Sequence, residues 1–269
     1  MAKSIGITCF SPTGTTRTIC KAIALGMGSE NPKILDMTFP DTRTAIIANP
    51  STAMDGIDHL IVGAPVYVGK LPPLVQECLK ALHGNGKECT AIVVYGNRDY
   101  GISLSKMAEI LLENGFIVVA AGTFIGHHSI SDIIPVAVGR PDNSDIEKAM
   151  EFGAKVLSAS RQLSIKDIPQ QIDFASKSST YSMDKPFYDE KLCTQCGECA
   201  EVCPLGLISA DTGKYLSAAA QKQCLGCKAC VKSCAPKARV TKVNSIMKMI
   251  LKIILRKASR ERREPAIIL

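Results

Sequence analysis

Through its first 160 residues the chain alternates short continuous apolar runs with stretches whose apolar positions recur every three or four residues. The runs at 5–10, 33–37, 59–63, 90–95 and 116–125 predict five strands. They are continuous rather than alternating, which is the pattern of strands covered on both faces in a parallel sheet. Helical spacing predicts helices from 15 to about 27, near 74–82, near 104–114 and over 142–160, the last capped by Asp142, Asn143 or Ser144. Strands separated by helices predict a doubly wound α/β sheet over residues 1–161.

The pattern changes after residue 161. Residues 162–185 are rich in Ser, Lys, Gln and Asp without clear periodicity and are expected to be a linker. Residues 186–243 are cysteine-rich and contain an internal repeat. Residues 244–269 form an apolar, basic, amphipathic tail, in which Lys248, Lys252 and Arg256 make one stripe at i, i+4 spacing. The tail reads as a helix packed on its own protein with the stripe exposed, or as a docking helix for a partner or an anionic membrane. The run 260–263 is expected to be solvated.

Charge sharpens this division. Residues 1–161 hold 14 Lys+Arg against 15 Asp+Glu, residues 186–243 hold 8 against 5, and residues 244–269 hold 7 against 2. A basic C-terminal end suits an acidic redox partner or an anionic surface. Nothing resembles a nucleic-acid motif. No apolar run approaches the roughly 20 residues of a membrane span, and no secretory signal opens the chain. The expected setting is a reducing cytoplasm, where thiols are free to bind metal.

Twelve cysteines matter in that setting. Eight fall in two runs, Cys193-x2-Cys196-x2-Cys199-x3-Cys203-Pro204 and Cys224-x2-Cys227-x2-Cys230-x3-Cys234. Three cysteines two residues apart wrap three corners of an iron–sulfur cube, and in two-cluster ferredoxins the fourth ligates the other cluster. One [4Fe–4S] cluster then takes Cys193, Cys196, Cys199 and Cys234, and the other Cys224, Cys227, Cys230 and Cys203. Zinc rarely uses two such runs, and disulfides would need an oxidising compartment. The repeat has one departure: Pro204 follows Cys203 directly, whereas Ala235 separates Cys234 from Pro236. Cys9, Cys20, Cys78 and Cys89 read as packing residues.

After the first strand, Ser11-Pro12-Thr13-Gly14-Thr15-Thr16 leads into a helix. Hydroxyls and free N–H groups at a helix N-terminus form an anion site, and Gly14 lets backbone approach closely. There is no P-loop lysine and no G-x-G-x-x-G. A Ser/Thr-rich helix cap would look the same in isolation.

The sheet and this loop together resemble flavodoxins, which bind FMN at such a loop. Residues 63–72 after strand three and 95–101 after strand four fall where a flavodoxin places its flavin-ring contacts. Both look like the loops of flavodoxin-type domains fused to ferredoxins. Over about 240 residues the chain resembles that fusion family: a flavodoxin-like five-stranded parallel sheet plus a small α+β bacterial-type two-cluster ferredoxin domain. The resemblance implies FMN phosphate contacts at Ser11, Thr13, Gly14, Thr15 and Thr16. It implies ring contacts at Pro65, Val66, Tyr67, Gly69, Gly96, Asn97, Arg98 and Tyr100. Tyr67 and Tyr100 are the expected stacking residues, the Gly96–Asn97 peptide faces flavin N5, and Arg98 supplies positive charge. His127 and His128 are expected to be a solvated loop pair.

The function so implied is an electron carrier that relays electrons between two [4Fe–4S] clusters and FMN for a redox partner, coupling one- and two-electron steps. Two alternatives stay open: an FMN-dependent reductase of a small molecule fed by its own ferredoxin domain, and a non-redox interaction protein with structural clusters. No nicotinamide fingerprint is present.

Overall fold

A computed structural model of the chain describes residues 3–171 and 185–269. The first domain runs β1 (Ile5–Cys9), α1 (Thr15–Gly26), β2 (Lys33–Asp36), α2 (Pro40–Ala48), α3 (Pro50–Ala53), β3 (His59–Pro65), α4 (Pro73–Ala81), β4 (Glu88–Tyr95), α5 (Ser103–Glu113), β5 (Ile117–Ile125) and α6 (Asn143–Ser158). The cysteine unit follows with β6 (Phe187–Tyr188), α7 (Glu198–Glu201), α8 (Ala218–Gln223), α9 (Ala229–Ser233) and β7 (Arg239–Val240). The tail holds α10 (Ser245–Ile254), α11 (Arg256–Arg260) and β8 (Ala266–Ile268).

The five expected strands pair in parallel in the order β2-β1-β3-β4-β5. This is the flavodoxin-like doubly wound order, whose ligands bind beyond the C-terminal strand ends near the β1/β3 switch. All five residues of β1 are buried, as its continuous apolar sequence requires. Ile5 and Ile7 face one core with Ile19 and Ile23 of α1 and Phe152 and Val156 of α6. Leu60 and Val62 face the other, with Val75 and Leu79 of α4 and Leu104, Met107 and Leu111 of α5. Helices α1 and α6 approach so closely that a Cβ at Gly153 would lie 2.1 Å from the Ile23 carbonyl oxygen.

Three features extend the sequence reading. Helices α2 and α3 occupy a stretch without apolar periodicity; α2 starts on Pro40 and buries only Ile46. Of the linker expected at 162–185, residues 172–184 lie outside the described residues. Residues 162–171 pack on the first domain: the Leu163 N–H donates to Val118 O at 2.8 Å, and Leu163 and Ile168 join the core. The tail adds a sixth strand, since β8 pairs antiparallel with β5 through Ala121–Ile268 and Thr123–Ala266. It covers an edge that five parallel strands would leave open.

Candidate functional site

In the cysteine unit the chain turns back at left-handed residues, Gln195 (φ 57°) and Gly197 (φ 79°) in the first run and Gly226 (φ 65°) and Lys228 (φ 64°) in the second. These turns aim backbone N–H groups at sulfur. Gln195 N donates to Cys193 Sγ and Gly226 N to Cys224 Sγ, both at 3.4 Å. At the fourth cysteines Leu207 N donates to Cys203 Sγ and Arg239 N to Cys234 Sγ, again both at 3.4 Å. The donor lies four residues after Cys203 but five after Cys234. The inserted Ala235 is the extra residue, so the turn absorbs it and the N–H···S bond survives.

The eight cysteines line two cavities. One gathers Cys193, Cys196, Cys199 and Cys234. The other gathers Cys203, Cys224, Cys227 and Cys230. Each set crosses the repeat, with three cysteines from one run and the fourth from the other. Among the described residues no His, Cys, Asp and Glu side chains group as ligands of a single metal ion, whereas a cubane places its four ligands at separate corners. Burial pushes the Cys227 and Cys230 thiols up to about 12. A cationic iron–sulfur core bound there would have to displace those protons.

Arg239 lines the first cavity and was not found by sequence reasoning. Its side chain is 1% exposed, with the guanidinium carbon 5.3 Å from the Tyr188 ring centroid and 4.7 Å from that of Tyr215. Nη2 donates to Gly213 O, while Nε and Nη1 are buried without a hydrogen-bond partner. Such orphaned cationic donors fit an anionic cluster.

The anion loop sits at the C-terminal end of β1. Gly14 turns it at φ 91° immediately before α1. The buried Ser11 Oγ accepts from Arg17 N at 3.0 Å, leaving its own O–H to donate, and Ser11 N donates to Thr38 Oγ1 at 2.7 Å. Thr16 Oγ1 is buried with no partner, an orphan that a phosphate oxygen would satisfy. Thr13 and Thr15 are partly exposed on the same loop. Lys232 of α9 donates to Thr13 O at 2.9 Å, bringing a positive charge from the cysteine unit to the loop's rim. No sequence signal links positions 219 apart.

The two expected ring loops are clamped together. Tyr67 and Lys70 exchange backbone hydrogen bonds of 3.0 and 3.1 Å across Val68 (φ 53°) and Gly69 (φ 70°), the geometry of a type I′ turn. A Cβ at Gly101 would lie 2.3 Å from Gly69 O, and Ile102 N donates to that same carbonyl. Pro65 ends β3, and Val66 N donates to Val94 O at 2.9 Å. Tyr67 is partly exposed but its hydroxyl is buried; this burial, with the Cys227 and Cys224 thiols beside it, raises its pKa well above the phenol range. Tyr100 is 5% exposed and stacks edge-on against Tyr95 at 5.6 Å, so its ring is used in the core.

Asn97 stands at φ 61° and is 3% exposed. Its Nδ2 donates to Ala258 O and Glu261 O, both at 2.7 Å, and its Oδ1 accepts from Arg263 N at 3.0 Å. The side chain is spent on the tail. The run 260–263 is correspondingly not simply solvated, contrary to expectation. Arg262 bonds Asp142 at 2.7 and 3.1 Å, and Arg140, paired with the buried Asp145, donates to Arg263 O at 2.8 Å. His128 also differs from the expected solvated pair. A Cβ at Gly96 would come within 2.4 Å of its ring, and burial, with Arg98 and His127 adding, pushes its pKa down to about 4. Gly96 is thus required by the packing of His128. His127 is exposed.

The two units meet beside this site. Leu225 is buried in the first domain's core cluster together with Val66, Tyr67 and Leu205. Arg43 Nη2 donates to Pro204 O at 2.6 Å. The second cysteine cavity therefore faces the β3–α4 loop through Tyr67.

Residues 192–239 match the family model described as a 4Fe-4S dicluster domain. No curated protein matches the chain. Solved structures similar to it include flavodoxin 2 from Bacillus cereus (17% identity, 58% of this chain and 98% of that one, TM-score 0.43). A flavodoxin from Streptococcus pneumoniae is also similar (20%, 58% and 97%, 0.41). So is rubredoxin oxygen:oxidoreductase from Desulfovibrio gigas (18%, 57% and 35%, 0.43). The α/β assignment rests on the strand order itself: the chain joins a flavodoxin-like α/β domain to a C-terminal 4Fe–4S dicluster unit.

Proposed function

We propose that the chain is an electron-transfer protein that relays electrons between two [4Fe–4S] clusters and an FMN held at the C-terminal ends of β1, β3 and β4. The observation that carries this reading is the docking of the second cysteine cavity against Tyr67, a residue of the candidate flavin loop. Thr16, Ser11 and the N-terminus of α1 would hold the phosphate, with Lys232 at its edge. Tyr67 would cover the ring, and the Gly96–Asn97 backbone would meet its edge. Bound FMN accepts one or two electrons while each cluster passes one, so joining them on one chain raises their effective concentration and couples the two kinds of step.

Cys193, Cys196, Cys199 and Cys234 would ligate one cluster, and Cys203, Cys224, Cys227 and Cys230 the other. The N–H···S bonds stabilise the thiolates, and the tail holds Asn97. The tail also spans the loop over which a small-molecule cleft would open, which favours a carrier over a reductase. The deciding experiment is iron and FMN per chain after anaerobic purification, followed by stopped-flow reduction with dithionite. About eight irons and one FMN, with bleaching of the clusters preceding that of the flavin, is expected. Eight irons without flavin, or clusters that dithionite does not bleach, would overturn the relay.

A further inference from the structure

A helix that only packs on its own protein needs one apolar face; α10 has two. Asn244 Oδ1 caps it by accepting from Met247 N at 2.8 Å. Met247, Leu251 and Leu255 then pack, with Ala258 of α11, against Ile130, Ile134 and Val136 of the β5–α6 connection. That face anchors the helix. A second face, rotated toward solvent, carries Ile246 (68% exposed), Met249 (58%), Ile250 (39%), Ile253 (70%) and Ile254 (47%). Sixteen large apolar side chains are exposed among the described residues, and five of them fall within these ten positions. Such a concentration marks an interaction surface, not scattered surface hydrophobes.

The flanking charge says what covers it. Lys248, Lys252 and Arg256 run along the helix at i, i+4 spacing beside the apolar face, all exposed. Arg260 of α11 adds to the positive surface, Lys257 pairs with Glu261 at 3.8 Å, and within α10 itself there is no acidic residue. An apolar stripe bordered by cations, on a helix held in place by its opposite face, matches the interfacial plane of an anionic bilayer. The isoleucines enter the acyl boundary and the cations meet lipid phosphates. At ten residues α10 is far too short to span, and no helix among the described residues is long and apolar enough to cross a membrane.

We propose that α10 docks the protein peripherally on anionic phospholipid membranes through Ile246, Met249, Ile250 and Ile253, with Lys248, Lys252 and Arg256 engaging the headgroups. This does not rest on the electron-transfer reading. The surface is continuous with α11 and the 261–263 segment that holds Asn97, so docking sets the candidate flavin edge at a fixed position relative to the bilayer.

The test is co-sedimentation of the full chain with vesicles of phosphatidylcholine alone or mixed equally with phosphatidylglycerol. Binding to the mixed vesicles only, weakened by salt, is expected. The exposed positions allow Ile250→Asp and Ile253→Asp without disturbing the packed face, and the double variant should release the protein. A Lys248→Gln, Lys252→Gln, Arg256→Gln variant should bind on the order of a hundredfold more weakly, at about fivefold per charge. Circular dichroism and elution volume would show that both variants remain folded. No binding to the mixed vesicles overturns the proposal. Unchanged binding by the double isoleucine variant overturns it as well, leaving only surface adsorption. A dimer in light scattering that dissociates in that variant would mean that a second copy covers the face, and would equally overturn it.

Discussion

Replacing Arg239 with Gln should make the cluster proposed for Cys193, Cys196, Cys199 and Cys234 harder to reduce. The guanidinium lines the pocket that gathers those four cysteines. For a charge roughly 6 Å from the centre of a bound cluster, at an effective dielectric constant of about 20, the interaction is roughly 3 kcal/mol per unit charge. Reduction adds one negative charge, which the cation stabilises, so losing it lowers the potential by about 120 mV, at 59 mV per tenfold for one electron. Nε and Nη1 have no hydrogen-bond partner, so their donors are also lost to the cluster. Gln keeps a polar head but places no charge between Tyr188 and Tyr215. The assay is a redox titration followed by electron paramagnetic resonance on protein with its full iron content. Arg239→Lys should retain most of the wild-type potential. If the Gln variant, with full iron, titrates within about 20 mV of wild type, Arg239 does not face the cluster with its charge.

Protonation of His128 is disfavoured in the folded state, its pKa lying near 4 rather than 6.5. Its contribution is therefore intact above pH 6.5 and is lost as pH falls toward 4, by up to about 3 kcal/mol. Urea midpoints across that range should drop for wild type and less for His128→Gln, and an equal drop in both would refute the assignment. Asn97→Ala removes two donated bonds and one accepted bond to the tail, worth roughly 1 kcal/mol each. Hydrogen exchange in residues 256–265 should rise while strands β1 to β5 stay protected. Gly14→Asp should expel FMN by setting a carboxylate against its phosphate, and Thr16→Val should weaken binding roughly tenfold through the lost hydroxyl; flavin retained at full occupancy by both would sink the anion-loop assignment. Cys230→Ala should lose one cluster, read as about four fewer irons per chain.

The strand runs were legible because a strand covered on both faces must be continuously apolar, and β1 is buried along its full length. The two cysteine runs were legible for a related reason: spacing of two residues is a local turn geometry, and the turns at Gln195 and Lys228 fall inside the runs. The anion loop had a composition that could be read, although its orphaned Thr16 hydroxyl could not. Helix α2 was invisible because it buries a single isoleucine and so leaves no period in the sequence.

Sequence alone determined what depends on neighbours a few residues apart: the five parallel strands and the helices α1, α4, α5 and α6 between and after them, the cysteine spacing, and the basic stripe of the tail. Tertiary structure decided what depends on positions far apart in the chain. It placed Lys232 on Thr13 and Arg263 on Asn97. It turned residues 266–268 into an edge strand of the first domain's sheet, set Arg239 at a cluster cavity, and left one apolar face of α10 uncovered. Hydrophobic periodicity says that a side chain must be buried or that a helix has a face, but the partner is selected by the packing of the whole chain, and no local pattern encodes it.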